Sequence, residues 1–132
     1  ELGAFRPIPL TVTVDGISHQ HDAMLVAIGN TPSYGGGMRV CPAASLTDGL
    51  FTVTVVDELS VAQLLRLFPR VYRGTHIEHP RANVYTGCRV SVSFTAGTGV
   101  SPVFADGEQV SSGSVSASVV PHALRVLVPG LP

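Results

Sequence analysis

Met24-Leu25-Val26-Ala27-Ile28 runs into Gly29-Asn30-Thr31-Pro32-Ser33-Tyr34-Gly35-Gly36-Gly37-Met38. After Pro42-Ala43-Ala44-Ser45-Leu46-Thr47-Asp48-Gly49-Leu50 the chain resumes as Phe51-Thr52-Val53-Thr54-Val55-Val56. Both flanking runs read as strands, the first as a continuous apolar central strand and the second by alternation. Three consecutive glycines stabilise neither a helix nor a strand interior; they belong where the backbone takes positive φ or where something approaches it closely. Asp48-Gly49 then makes a second tight turn. A loop of this kind between two strands is the first place to look for function.

Outward from this stretch the pattern stays β. Ile8 to Val14 alternates as a half-buried strand, Asp15-Gly16 is a hairpin signal, and Ile17 to Asp22 is the return strand. One helix is expected. Ser60 caps it, Val61, Leu64, Leu65 and Phe68 recur at helical spacing, and Pro69 ends it near Phe68, with a further turn over Arg70 to Tyr72 before Gly74. Beyond it, His76 to His79 reads as a short strand stopped by Pro80, followed by strands at Ala82 to Tyr85 and Val90 to Phe94. Ala96-Gly97-Thr98-Gly99 is a turn, and Val103 to Ala105 runs into Asp106-Gly107-Glu108. The serine-rich Ser111 to Ser118 keeps its valines in strand register, and Leu124 to Val128 closes the set. Short strands punctuated by turns predict an all-β fold, a β-sandwich with one or two short helices packed outside.

The chain has 132 residues, enough for one domain with a real core. A net charge of −1 gives no electrostatic reason to expect nucleic acid as a partner. All eight basic residues are arginine, so neither a catalytic lysine nor a phosphate-binding lysine of the Walker type comes from this chain. No apolar run approaches the roughly 18 residues of a membrane span. Residues 1–7 show no signal-peptide pattern and read as a linker from something upstream, so the chain is expected to be a fragment. Cys41 and Cys88 lack zinc-ligand spacing and read as two reduced thiols in a cytoplasmic protein.

Gly29-Asn30, Gly35-Gly36-Gly37-Met38, Pro42-Ala43-Ala44, Asp48-Gly49-Leu50 and, much later, Asp106-Gly107-Glu108 follow one another in an order that resembles the C-terminal domain of the soluble bacterial diacylglycerol kinases and their sphingosine-kinase-like relatives. The resemblance runs from about Pro9 to the end. It departs from the family at Thr31, where a glycine often follows the asparagine, and at Ala43, where an acidic residue is frequent.

The resemblance implies an ATP-dependent lipid kinase, with diacylglycerol as the substrate alcohol, phosphatidate as the product and a role in phospholipid metabolism. It implies that Glu108 accepts the proton of the attacking hydroxyl, chemistry that such a transfer requires, and that Asp106 lies near the metal and phosphates. It implies a structural magnesium ion on the Asp48 carboxylate and the main-chain carbonyls of Ser45 and Leu50, a donor set suited to a hard cation. Gly35, Gly36 and Gly37 are candidates to cradle phosphate or to shape the cleft against an upstream domain. Nothing here matches the Gly-Gly-Asp-Gly motif on which these kinases bind nucleotide. ATP is therefore expected on a separate N-terminal nucleotide-binding domain, the partner of this one. The isolated chain is expected to be inactive, and the whole protein to touch the inner membrane face transiently.

Other readings stay open on the residues alone. The Asp-Gly pairs are also ordinary turns, and the chain could be a non-catalytic β-sandwich binding module. Sphingoid base or another lipid alcohol could replace diacylglycerol, and NAD kinases share the domain plan. His19 with His21, and His76 with His79, read as solvated surface residues; the first pair shares a strand face and could bind metal.

Overall fold

The computed structural model describes residues 6–97 and 101–130. Its strands are β1 (Ile8–Val14), β2 (Ile17–Gly29), β3 (Phe51–Asp57), β4 (Ala82–Gly87), β5 (Arg89–Phe94), β6 (Val103–Ala105), β7 (Glu108–Ser111) and β8 (Val115–Ser118), with one helix, α1 (Val61–Val71). The sheet order is β4-β3-β2-β1-β5-β8, every pair antiparallel, and β6-β7 form a separate hairpin. The mainly β fold is as the sequence predicts.

The two strands read at Ile17 to Asp22 and Met24 to Ile28 are one strand. β2 pairs β1 through Ala23 and β3 from Ala23 onward, with a register shift between Ala23 and Leu25. That bulge inverts the phase: His19, His21 and Ala23 share a face with Val26 and Ile28, so the apolar positions change parity mid-strand. On the inner face Leu10, Val12, Val14, Val53, Val55, Val90 and Val92 form the main core. β3 is buried on both faces: Thr52 and Thr54 lie under the loop that carries Val40, Cys41 and Ala44, and Val56 packs with Leu59 and Leu67 of the helical side. Thr54 donates its hydroxyl to Cys41 Sγ at 3.7 Å, and burial pushes the Cys41 thiol up. Cys41 and Cys88 are both free.

α1 begins with a capping box: Ser60 Oγ accepts from the Gln63 amide at 3.2 Å, and Gln63 Oε1 from the Ser60 amide at 2.9 Å. Pro69 does not end it; the helix continues to Val71. A proline removes one amide and frees one carbonyl, here that of Leu65, whose residue faces solvent where water can replace the lost bond. Gly74, at φ 74°, reverses the chain, and Thr75–Glu78 is a 3₁₀ turn, not the strand read at His76 to His79. Ser112 to Ser114 separate β7 from β8, so the serine-rich segment contributes to both sheets instead of running as one strand. Leu124 to Val128 forms no strand: these residues are exposed, Leu127 fully, and pair with no strand among the described residues. The turn read at Ala96 to Gly99 is seen at Ala96 and Gly97; the rest lies outside the described residues.

Candidate functional site

β1 starts at Ile8, opposite Ala23, and among the described residues Met24 to Gly29 of β2 are paired on the β3 side only. At that open edge lies an apolar groove of about 690 Å³, within the range of small-molecule sites. Leu10, Val92 and Phe94 line it from the inner sheet, Leu64 and Leu67 from α1, and Tyr34, Met38, Val103 and Phe104 from the two loops. The glycine loop and the Asp106 hairpin, 70 residues apart in sequence, therefore meet over one apolar groove.

The glycine loop is a 3₁₀ turn, Gly35–Gly37, closed by a bridge between Tyr34 and Met38 in which the Tyr34 amide donates to the Met38 carbonyl at 2.8 Å. Gly36 and Gly37 have φ of 76° and 80°, a left-handed backbone that favours glycine. A Cβ at any of the three would meet nothing within 4 Å. Gly35 has neither positive φ nor a close neighbour, so nothing among the described residues requires it. The Tyr34 hydroxyl donates to the Ile28 carbonyl at 2.8 Å, which fixes the loop to the open edge of β2. Burial first, then the charges of Cys41 and Asp106, push Tyr34 up to about 12. Tyr34 of this loop and Phe104, two residues before Asp106, line the same groove.

Asp106 and Gly107 both take positive φ, 48° and 84°, the geometry of a two-residue hairpin turn. Phe104 pairs Gln109 and Ala105 pairs Glu108, so Glu108 projects from the hairpin face opposite Phe104. It is exposed and has no hydrogen-bond partner among the described residues.

Asp48 lies in the turn that leads into β3, whose Thr52 pairs with Gly29 at the end of β2. Its Oδ1 accepts the Leu50 amide at 3.0 Å, the self-bonded turn that its sequence allows, and Gly49 follows at φ 70°. The Gly49 carbonyl accepts the Cys88 thiol at 3.7 Å, and Ser45 Oγ accepts the Thr47 amide at 3.3 Å. Asp48 Oδ2 and the main-chain oxygens of Ser45 and Leu50 are hard donors of the kind magnesium takes, so the residues present fit such an ion. No hydrogen bond or ion pair among the described residues joins this turn to Asp106 or Glu108.

Two histidines read as solvated are not. His21 Nδ1 lies 2.8 Å from Asp57 Oδ1 and its Nε2 lies 2.8 Å from the Tyr85 hydroxyl, while Asn83 donates to Asp57 Oδ2 at 3.0 Å and His19 stacks on Tyr85 at 4.1 Å. The inner-face phase that pairs His21 with Leu10 and His19 with Val12 is the signal that could have revealed this. No three metal-ligating side chains converge among the described residues. His76 is fully buried; its Nε2–H donates to the Val40 carbonyl at 3.1 Å, which ties the 3₁₀ turn to the glycine loop. Burial holds its pKa below the usual histidine value, against the hydrogen bonds its ring makes to the backbone, and no hydrogen bond of good geometry reaches Nδ1 among the described residues.

Residues 1–128 match the family described as the YegS C-terminal NAD kinase beta sandwich-like domain. A diacylglycerol kinase of Mycobacterium tuberculosis is 38% identical over 130 residues, which span 98% of this chain and 41% of that protein. A diacylglycerol kinase of Staphylococcus aureus strain Newman is 32% identical over 61% of this chain and 25% of its own length. The chain thus spans less than half the length of these relatives. The crystal structure of a diacylglycerol kinase from Bacillus anthracis superposes with a TM-score of 0.65 at 16% identity, over 92% of this chain and 43% of that one, a likeness of fold. The order of glycine loop, Asp48 turn and Asp106 hairpin, set on this antiparallel sheet, and the match over nearly all of its length make the chain a member of the YegS C-terminal NAD kinase beta sandwich-like domain family.

Proposed function

We propose that this domain is the lipid-facing half of an ATP-dependent diacylglycerol kinase. The observation that carries the reading is the apolar groove lined by Tyr34 and Met38, which flank the glycine loop, and by Val103 and Phe104, which lead into the Asp106–Glu108 turn. An acyl chain lies along the groove, and the alcohol is presented beyond the hairpin to a nucleotide held by an N-terminal domain. Glu108 takes the hydroxyl proton as that oxygen attacks the γ-phosphorus; the bond to the β-phosphate oxygen breaks, and ADP leaves. Asp106, at the turn, orders the phosphate end of the cleft, and Gly35 leaves room for whatever approaches the loop. Mg²⁺ would be held by Asp48 and the carbonyls of Ser45 and Leu50, where it supplies charge neutralisation and a cross-link within the loop.

The test is product formation by the full-length protein with ATP and, in separate reactions, diacylglycerol and a sphingoid base. Phosphatidate from the first is the expected result. Product from the sphingoid base alone reassigns the substrate, and no phosphorylated lipid from either returns the domain to a binding module. The 132-residue chain by itself yields no ATP turnover above a Glu108→Ala control; turnover here would show that nucleotide binds to this domain.

A ligand that binds only the folded state stabilises it by mass action. Magnesium should raise the melting temperature of the full-length protein, and Asp48→Ala should abolish that increment. An equal response in both proteins would remove the metal from this loop.

A further inference from the structure

α1 is apolar over more of its circumference than the sheet covers. Leu64, Leu67 and Val71 turn inward along the groove. Val61, Leu65, Phe68 and Tyr72, at spacings of four, three and four, form a second stripe beside them that stays in solvent, at 41%, 64%, 55% and 48% exposure. Phe68 and Tyr72 meet edge to face at 6.1 Å, so the stripe is a joined surface, not scattered side chains. The helix contains no acidic residue.

Four of the eight arginines gather on this side of the molecule. Arg66 lies in the helix and Arg73 just after it; Arg39 is tied to its C-terminal end through its own amide, which donates to the Val71 carbonyl at 3.0 Å. Arg70 is engaged, donating to the Thr75 carbonyl at 2.7 Å and reaching Glu78 at 3.5 Å. Arg66, Arg73 and Arg39 are exposed, and no acidic side chain among the described residues pairs with them. Helix C-terminal polarity accounts for basic residues at the last turn but not for Arg66 at mid-helix.

From this pattern we infer that α1 is a bilayer-docking face, with the Val61–Leu65–Phe68–Tyr72 stripe entering the interface of an anionic membrane and Arg66, Arg73 and Arg39 meeting its headgroups. An exposed apolar stripe with arginines on the adjoining flank and no acid is the chemistry of an interfacial helix. Continuity favours a membrane over a protein partner: Phe68 belongs to both the exposed stripe and the wall of the groove. A lipid leaving the bilayer at α1 enters the groove without crossing a polar surface. The inference rests on the lipid-kinase reading, but its test does not depend on catalysis.

Flotation of the full-length protein with phosphatidylglycerol–phosphatidylcholine vesicles, against pure phosphatidylcholine vesicles, reads the docking. Leu65→Ser with Tyr72→Ser should lower the vesicle-bound fraction about tenfold or more, since two large apolar contacts are lost. Arg66→Glu with Arg73→Glu should remove the preference for phosphatidylglycerol. Val84→Ser, an exposed apolar position on β4, should leave binding unchanged. Neither pair lines the groove, so activity on dispersed short-chain diacylglycerol should persist in both. Wild-type binding by the Leu65/Tyr72 pair, or no binding by the wild type, overturns the docking face. A lowered melting temperature with vesicle binding intact also overturns it, because the stripe is then covered by protein. Loss of vesicle binding by the pair, in a protein that phosphorylates no dispersed diacylglycerol, sinks the kinase reading and leaves the docking face standing.

Discussion

Replacing Glu108 by glutamine should lower kcat of the full-length protein by about two orders of magnitude or more, while ATP affinity and melting temperature stay near wild type. Glutamine keeps the size and one hydrogen-bonding oxygen but cannot hold the substrate proton. The hairpin geometry separates this effect from a structural one. Its turn is made by Asp106 and Gly107, both at positive φ, and Glu108 follows as the first residue of β7 with an exposed side chain that bonds to nothing among the described residues. No internal contact is lost on substitution, so surface-like stability is expected. Asp106→Ala is a different experiment, because alanine at φ 48° strains the turn itself. A Glu108→Gln enzyme that is folded and retains most of its kcat would place the base elsewhere.

How far the sequence carried this reading depends on the element. β1, the Asp15-Gly16 turn, β3, β4 and β5 follow from period-2 alternation and turn residues, because each is a regular strand in one sheet. β2 was legible only in halves, since the bulge at Ala23 to Leu25 shifts the apolar phase and a phase break reads as a chain break. The burial of Thr52 and Thr54 was not legible: alternation marks them as the outer face, and only the later packing of the Cys41 loop and helix covers that face. Propensity misled at Leu124 to Val128, where a strand-like pattern stays exposed, and at His76, which is buried against a carbonyl 36 residues earlier. For the site, residue order suggested that the glycine loop and the Asp106 turn belong together, and the groove gives that a physical basis. It did not reveal that Asp57, His21 and Tyr85 form a bonded row across β3, β2 and β4.

The sheet is curled enough that β4 reaches back to β1, with two strands between them in the order, and a small clasp holds the two together. Asp15 Oδ1 accepts the amides of Cys88 at 3.0 Å and Arg89 at 2.9 Å, and the Asp15 amide returns a bond to the Arg89 carbonyl at 2.9 Å. Gly87, the last residue of β4, is the close point: a Cβ there would lie 2.5 Å from Val14 Cγ1 and 2.7 Å from Asp15 Oδ2. Val14 is buried and β-branched, and Asp15 is tethered by two amides, so neither yields freely. Gly87→Ala should therefore destabilise the protein by about 1–3 kcal/mol through overpacking. Asp15→Ala should cost about 1–3 kcal/mol, because the amides of Cys88 and Arg89 lose their acceptor and alanine at φ 48° strains the turn, a strain common to the single and double variants. The two changes should not add. Once Asp15 is alanine, the Cβ at position 87 meets only Val14, and that strand end can shift without breaking the clasp a second time. Urea unfolding of the wild type, both single variants and the double variant should give a coupling of about 1 kcal/mol in the direction that makes the double less damaging than the sum. Additivity within about 0.5 kcal/mol would mean that Val14 alone sets the cost at Gly87 and that the Asp15 clasp acts independently of it.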